Sequence, residues 1–176
     1  MEKIKKFLKD QPPARLIAAS FFLTILLGTV LLKLPISVKK GVDVSWIDSL
    51  FTSTSAVCVT GLIAVDCADH FTAFGQGVLA VLIQIGGLGV SSIGVGLVLA
   101  ARKKVGIKSR GIVKEALNTD NYKGIVRLVR AVLITTLGFE IAGAVLSFLV
   151  FVKDFKPLHA LGISIFHSVA AFNNSG

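Results

Sequence analysis

Charge, cysteine and proline are all scarce in this sequence. Of its 176 residues only 16% are Asp, Glu, Lys or Arg, and it has 2 cysteines and 4 prolines. Soluble domains carry about 25% charged residues, so this composition argues against an ordinary soluble protein. Cys58 and Cys67 are too few for a disulfide framework or a thiolate metal site. Small buried hydrophobic residues are the simpler interpretation, with one disulfide between them as the alternative.

Long apolar segments dominate what is present. Hydrophobic residues make up 53% of the chain, and its mean hydropathy is +0.80. Three segments, 14–34, 72–101 and 125–152, are each long enough for a helix that crosses the roughly 30 Å hydrocarbon layer. The first follows a basic start, as a secretory signal does. It is longer than the apolar core of a signal and lacks a small-residue cleavage site, so we predict a retained membrane helix.

Positive charge, +9 in total, is distributed as in membrane proteins. Lysines and arginines concentrate in 1–13 and 102–124, and aromatic residues do not alternate with them as on nucleic-acid-binding surfaces. Because two membrane crossings separate these regions, the positive-inside rule places both in the cytoplasm. We therefore predict a multi-pass protein of the cell membrane that contacts the lipid bilayer and no nucleic acid.

A polar stretch between the first two apolar segments predicts a short helix followed by extended chain. Ser45 can cap a helix and Asp48 suits its positive end, so a helix is predicted over 45–56. The β-branched residues that follow favour extended backbone, and Gly61 permits a turn. Such a helix rises about 18 Å, and the extended segment 57–62 can return about 20 Å. The pair predicts a loop that enters the membrane and leaves on the same side.

Backbone carbonyls in such a re-entrant loop can bind a cation. Non-helical backbone at membrane depth is tolerated only where it is buried in protein or lines a water-filled cavity. Carbonyl oxygens without hydrogen-bond donors can replace the water shell of a cation there, and the negative end of the preceding helix favours positive charge. The alternative is an ordinary outer loop with a turn at Gly61.

The same layout recurs in the last third of the chain. The apolar segment 125–152 is followed by a short polar connection. Pro157, which suits a first helical turn, then opens a predicted helix over 157–171. Aligning the two final glycines sets residues 173–176 against 58–61. A repeated architecture of this kind predicts an internal repeat.

Five motifs occur in order along nearly the whole chain: T-S-T-S-A-V-C-V-T-G-L-I-A-V-D (52–66), F-T-A-F-G-Q (71–76), Q-I-G-G-L-G (84–89), K-E-A-L-N (114–118) and F-H-S-V-A-A-F-N-N-S-G (166–176). This set resembles the Trk/Ktr/HKT superfamily of potassium transporters and is most similar to a KtrB-type membrane pore subunit. The resemblance implies an all-α integral membrane protein built from helix–pore loop–helix repeats, as in potassium channels. In the superfamily four such repeats surround a central pore.

On this resemblance the chain divides into four parts. We expect a cytoplasmic N-terminus at 1–13, one complete repeat at 14–101, a cytoplasmic loop at 102–124 and the first half of a second repeat at 125–176. The chain stops at the second filter glycine, so we expect it to be the N-terminal part of a longer protein. Alone it cannot close a four-sided filter.

The resemblance also implies a set of ion ligands in two filter segments, 57–62 and 173–176. The potassium ligands would be the backbone carbonyls of Cys58, Val59, Thr60, Gly61, Asn173, Asn174, Ser175 and Gly176. In the family, glycine at the filter position accompanies potassium selectivity, and serine at the first filter position accompanies sodium transport. Cys58 stands where related subunits have threonine. K+ is therefore the expected transported ion, with Na+ as the alternative and no covalently bound cofactor.

KtrB-type subunits form homodimers on a cytosolic nucleotide-binding regulatory ring of the KtrA/TrkA type. The resemblance implies both partners here, with the 102–124 loop on the face that would meet the ring. The sequence shows no phosphate-binding loop, so ATP or NAD would bind the partner. Uptake would be coupled to Na+ or to the membrane potential.

Four polar residues outside the filter segments leave alternatives open. Glu140 lies near the middle of the third apolar segment, where an ionisable group is costly and must face protein or water. It is either part of the ion path or a hydrogen-bonded tie between helices. Gln84 is predicted to face the helix bundle. Asp66 and Asp69 either concentrate cations at an outer mouth or are plain surface residues.

Three other functions compete with potassium uptake. They are a Na+-transporting member of the same superfamily, a non-transporting membrane scaffold, and an intramembrane enzyme using Cys58, His70 and Asp66 or Asp69. A Cys–His pair can perform nucleophilic chemistry, but no catalytic spacing is evident. We therefore predict a transport protein and not an enzyme.

Overall fold

The computed structural model describes residues 12–100, 107–116 and 124–175. Within these ranges the chain forms helices and no strand beyond an isolated bridge between Val38 and Phe71, which confirms the all-α prediction for that part. The helices are α1 (Pro13–Lys33), α2 (Trp46–Cys58), α3 (Cys67–His70), α4 (Ala73–Leu88), α5 (Val90–Ala100), α6 (Ile107–Ala116), α7 (Ile125–Phe151) and α8 (Pro157–Phe172). Most of the predicted basic N-terminus, both flanks of α6 in the predicted basic loop, and Gly176 lie outside the described residues.

Within the described ranges, two helices are long and apolar enough to cross a membrane. The qualifying segments of α1 and α7, Ala14–Lys33 and Ile125–Phe151, have 20 and 27 residues and mean hydropathies of 2.1 and 2.0. The first and third predicted membrane helices are therefore present at the predicted positions. Both carry large apolar side chains that are more than half exposed, as lipid-facing groups are: Phe22, Leu23, Ile134 and Leu146.

The second predicted membrane helix, 72–101, is not one continuous helix. α4 ends at Leu88 and α5 begins at Val90, with Gly89 between them at φ +78°. A right-handed helix cannot continue through this φ, which glycine adopts without the penalty of a Cβ. The prediction of a single helix was wrong, because apolar residues continue through the break and hydropathy does not reveal it.

Helix α2 begins where it was predicted and ends later. The Ser45 hydroxyl accepts the Asp48 backbone N–H at 3.0 Å, and the Asp48 carboxylate accepts the Ser45 backbone N–H at 3.1 Å. This capping box confirms the predicted start. The helix then continues beyond the predicted 45–56 through Val57 to Cys58. Val57 is fully buried, and its packing outweighs the weak β preference on which the earlier end was predicted.

Helix α8 closely matches the second predicted short helix. It covers Pro157–Phe172 against the predicted 157–171, with the proline in its first turn. Its 16 residues, like the 13 of α2, are fewer than the about 20 that cross a membrane. Helix α2 packs on α1, α8 packs on α7, and α4 contacts both short helices.

The main core lies where α1, α2, α4 and α8 meet. Helix α2 approaches α1 closely because Gly28 has no side chain there, and the Ser53 hydroxyl donates to the Ile25 carbonyl at 2.8 Å. The buried members of this core are Leu32, Val44, Ala56, Val57, Phe71, Leu79, Leu82, Ile83 and Ala170.

Two connections on the same side of the bundle are also joined. The Thr72 backbone N–H donates to the Ser37 carbonyl, and the Lys39 N–H donates to the His70 carbonyl, both at 2.9 Å. The chain entering α2 is therefore held against the chain entering α4. Together these contacts position the end of α2 inside the bundle.

Candidate cation site at the ends of the two short helices

Helix α2 ends in a Schellman motif, a turn in which two backbone N–H groups fold back onto the last carbonyls of a helix. The Val59 N–H donates to the Ala56 carbonyl at 3.3 Å, and the Thr60 N–H donates to the Ser55 carbonyl at 3.0 Å. Val59 has the left-handed φ of 54°, and Gly61 follows at φ 69°. The chain after α2 is thus a tight reversal and not the extended run predicted from Val57.

Helix α8 ends in the same arrangement. The Asn174 N–H donates to the Ala171 carbonyl at 3.1 Å, and the Ser175 N–H donates to the Ala170 carbonyl at 2.8 Å. Asn174 has a φ of 54°, the value found at Val59. Identical backbone hydrogen bonds therefore occur at the two places that the predicted alignment of the filter segments pairs.

The first segment leaves a row of carbonyls without donors. Among the described residues, no hydrogen bond is accepted by the carbonyl oxygens of Cys58, Val59, Thr60 or Gly61. The loop is held instead through side chains. The Thr60 hydroxyl donates to the Ser55 hydroxyl at 3.0 Å, and Ser55 donates to the Leu62 carbonyl at 2.8 Å. Ser55 thus restrains the loop without occupying these four carbonyls.

The ends of both short helices border one cavity. Gly61 of the first segment and Ser175 of the second line a cavity of about 270 Å³, together with the polar side chains of Thr52 and Asp66. The Thr52 hydroxyl is buried and has no hydrogen-bond partner among the described residues. Neither α2 nor α8 has a basic residue in its last turn. The negative ends of both helix dipoles are therefore uncompensated beside the cavity, which favours a cation.

Two neighbouring glycines of α4 accommodate the two loops. A Cβ at Gly86 would overlap the backbone carbonyl of Val57, and a Cβ at Gly87 would overlap the side chain of Asn173. One turn of α4 is thus in close contact with both helix ends. Both glycines belong to the motif Q-I-G-G-L-G (84–89), from which sequence reasoning did not predict contact with the two helix ends.

A polar network holds the second segment. The buried Asn173 side-chain amide donates to the Val169 carbonyl at 2.8 Å and to Gln84 Oε1 at 3.1 Å, and it lies 3.5 Å from Glu140 Oε1. Gln84 also forms a side-chain hydrogen bond with the Glu140 carboxylate. Of the two alternatives for Glu140, the structure shows the tie between helices. Gln84 faces the bundle, as predicted.

The outer acidic residues have separate roles. The Asp66 carboxylate caps α3 by accepting the N–H groups of Ala68 at 2.7 Å and Asp69 at 3.1 Å. Asp69 is exposed, which fits both of the predicted alternatives for it. At the start of α2, hydrogen bonds from the Ser45 side chain and backbone lower the pKa of Asp48 below its ordinary value, so this carboxylate stays ionised.

The residues proposed for an enzyme are not arranged for catalysis. Burial, with a contribution from the Asp66 charge, raises the pKa of the Cys67 thiol, so it stays protonated and is a poor nucleophile. The His70 ring contacts the Asp66 backbone carbonyl at 3.0 Å. Neither Cys58 nor Cys67 hydrogen-bonds His70 within the described ranges, and both cysteines are free thiols.

The structure brings only some of the predicted ion ligands together. Gly61 and Ser175 share the cavity, whereas Cys58 is the last residue of α2 and is exposed. Thr60 and Asn174 are exposed, and the side chain of Asn173 is directed into the polar network. Gly176 cannot be placed because it lies outside the described residues.

The described part of the chain thus combines long apolar helices with two short helices whose following segments border one cavity. Comparison with known proteins agrees. The model of the TrkH family, described as "Cation transport protein", matches residues 3–176. The chain belongs to the TrkH family of cation transport proteins. The resemblance seen in the motifs is thereby confirmed, and the family is one of transporters and not of enzymes.

Individual relatives agree with the family. The chain is 43% identical over 175 residues to Ktr system potassium uptake protein B of Bacillus subtilis, covering 99% of this chain and 39% of that protein. It is 40% identical to potassium/sodium uptake protein NtpJ of Enterococcus hirae, covering 98% and 38%. It is 35% identical to Ktr system potassium uptake protein B of Vibrio alginolyticus, covering 92% and 35%. The chain therefore spans less than half the length of these curated relatives.

Proposed function

We propose that the chain is the N-terminal part of a membrane pore subunit for potassium uptake. In this proposal α2 and α8 are the pore helices of two re-entrant loops, and carbonyls of 58–61 and 173–176 replace the water shell of K+. The observation that carries the proposal is the pair of identical helix ends beside one cavity. The donor-free carbonyls of the first segment and the uncompensated helix dipoles support it.

Potassium is the proposed ion for two reasons. Gly61 and Gly176 occupy the positions at which the family resemblance associates glycine with K+. Relatives from Bacillus subtilis and Vibrio alginolyticus are named potassium uptake proteins. Sodium transport is the second candidate, because the Enterococcus hirae relative is named a potassium/sodium uptake protein.

The wider assembly belongs to the same proposal. We expect coupling to Na+ or to the membrane potential, a homodimer in the cell membrane, and a cytosolic nucleotide-binding ring on the side of α6. Two relatives from Bacillus subtilis are named Ktr system potassium uptake proteins B and D, and the word system supports the existence of partner components. The exposed apolar side chains of α1 and α7 support contact with lipid.

The filter glycine provides the direct test. The gene encoding the full-length protein is expressed in bacterial cells that lack their own potassium uptake, and initial K+ and Na+ uptake rates are measured. Gly61→Ser adds a side chain at φ 69°, beside the proposed ligands. We expect K+ uptake to fall at least about tenfold, equivalent to about 1.4 kcal/mol, with Na+ competing more strongly.

Gly77→Ser is the matched control. It lies on α4, and a Cβ there meets nothing within 4 Å, so uptake is expected to stay near the wild-type rate. The proposed site would be contradicted if the Gly61→Ser variant took up K+ at the wild-type rate, with equal amounts of protein in the membrane.

A further inference from the structure

The side chain of Asn173, which follows α8, is held by residues of two other helices, α4 and α7. Its exposed fraction is 9%, and its amide nitrogen lies 3.1 Å from Gln84 of α4 and 3.5 Å from Glu140 of α7. The side-chain oxygen of Asn173 lies in the space where Gly87 has no side chain. The first segment is held differently. The residue aligned with Asn173 is the exposed Cys58, and the segment is restrained by the Ser55 hydroxyl instead.

The hydrogen bonds of this network have a defined direction. Asn173 donates its N–H₂ group, so Gln84 must present its carbonyl oxygen to Asn173. The amide group of Gln84 is then left to donate to Glu140, with which it is hydrogen-bonded. Oxygen atoms of Gln84 and Glu140 thus both face the Asn173 amide nitrogen, at 3.1 and 3.5 Å. Gln84 and Glu140 together favour this one orientation of the Asn173 side chain.

Contacts between α7 and α8 fix the position of Glu140. The Ser168 hydroxyl of α8 donates to the Glu140 backbone carbonyl at 2.7 Å, and Gly143 leaves room for that hydroxyl. Glu140 as a residue is buried, with an exposed fraction of 7%. Backbone and side chain of one residue thus join α8, its terminal segment and α4.

We infer that Gln84 and Glu140 are positioning residues that set the geometry of the second filter segment through the side chain of Asn173. The inference rests on the proposed function, since it assigns the network a role in ion selection. Neither residue contacts the ion. They act by holding residues 173–175 at the distance from α4 at which the carbonyls face the pore.

A reciprocal exchange of the amide and the carboxylate tests this inference. In the full-length protein, Gln84→Glu places two carboxylates side by side and removes the Gln84 donor. The double variant Gln84→Glu/Glu140→Gln restores a directed chain, because residue 84 then accepts from both neighbours. We expect Gln84→Glu to change the ratio of K+ to Na+ uptake at least about fivefold, equivalent to about 1 kcal/mol. The double variant should return to within about twofold of wild type.

The ratio of two ions is chosen because a merely structural role would lower the amount of protein without changing the ratio. Gln84→Met, which removes the hydrogen bonds without adding charge, provides a second variant and is expected to change the ratio in the same direction. Asp154→Asn, in the exposed connection between α7 and α8, is the matched control for loss of a carboxylate and should leave the ratio unchanged.

The outcomes separate the two proposals. A wild-type protein that transports neither ion overturns the proposed function. If the wild type transports K+ but Gln84→Met keeps its ratio, or the double variant stays as altered as Gln84→Glu, the positioning inference is overturned and the proposed function stands.

Discussion

At the scale of single residues, the first proposed filter segment holds a strained residue. Val59 is β-branched and adopts the left-handed φ of 54°, a conformation that costs non-glycine residues about 1–2 kcal/mol. Asn174, in the matching position, tolerates this conformation better because its short polar side chain can bond locally. The strain at Val59 persists because the Schellman turn and the Ser55 hydroxyl hold the loop from both sides.

Ser55 gives the prediction at this scale. Ser55→Ala removes the hydroxyl that accepts from Thr60 and donates to Leu62. We expect the free energy of unfolding to fall by about 1–3 kcal/mol, because two polar groups lose their partner. Thermal unfolding of the purified full-length protein, with and without K+, measures the loss and whether K+ still stabilises.

The neighbouring Thr54→Ala variant is the control. Among the residues that the structure describes, the Thr54 hydroxyl donates to the Leu50 carbonyl of its own helix and to no other element. A loss of stability as large for this variant as for Ser55→Ala would show that the loop restraint contributes nothing of its own.

At the scale of helices, α4 serves as a shared support. It packs on α2 and α8, and adjacent residues of one turn, Gly86 and Gly87, contact the ends of the two short helices. The backbone of Val57 and the side chain of Asn173 both depend on the missing Cβ atoms. A displacement of α4 would therefore move both proposed filter segments together, because there is no free space between α4 and either helix end.

Gly86 gives the prediction at this scale. A Cβ there meets the backbone carbonyl of Val57, which cannot move aside as the end of a flexible side chain can. Gly86→Ala is expected to destabilise the protein by about 1–3 kcal/mol and to lower K+ uptake per molecule. Thermal unfolding measures the loss of stability and an uptake assay measures K+ transport, both with the full-length protein.

Gly77→Ala, on the same helix with open space around it, is expected to be neutral or stabilising by up to about 1 kcal/mol. Equal losses for the two alanine variants would refute the role of α4 as a close-packed support, since the loss would then not depend on the contact between residue 86 and the Val57 carbonyl.

At the scale of the whole molecule, the exposed surface is that of a protein in lipid. Large apolar side chains are exposed along α7 and α1, including Leu137 at 55% and Leu27 at 57%. A soluble protein rarely exposes such continuous apolar area. The distribution of basic residues, 1–13 and 102–124 against the sparser connections at 36–44 and 153–156, sets the expected orientation.

Accessibility of single cysteines tests that orientation. In a full-length variant with Cys58 and Cys67 replaced by alanine, Lys40→Cys should react with a membrane-impermeant maleimide applied to intact cells. Glu115→Cys should react only after the cells are permeabilised, because α6 is predicted to be cytoplasmic. Both positions are exposed, so burial does not explain a difference. The reverse labelling pattern would invert the predicted topology.

Sequence reasoning located the helices better than it located their ends. The capping pair Ser45–Asp48 and the first-turn Pro157 were readable because their effects are local. The end of α2 and the break at Gly89 were not, because both depend on what packs around the backbone. The polar residues Gln84 and Glu140 were recognised as facing protein, but their common partner Asn173 was not.

The amino-acid sequence alone determined the class of this protein. Apolar length, the placement of basic residues and ordered glycine-containing motifs are properties of the chain itself, and they established its membrane character and family. Only the tertiary structure decided how the two proposed filter segments are held. Residues 84, 140 and 173 are far apart in the chain, and hydrogen bonding between them depends on the packing of three helices, which no local pattern encodes.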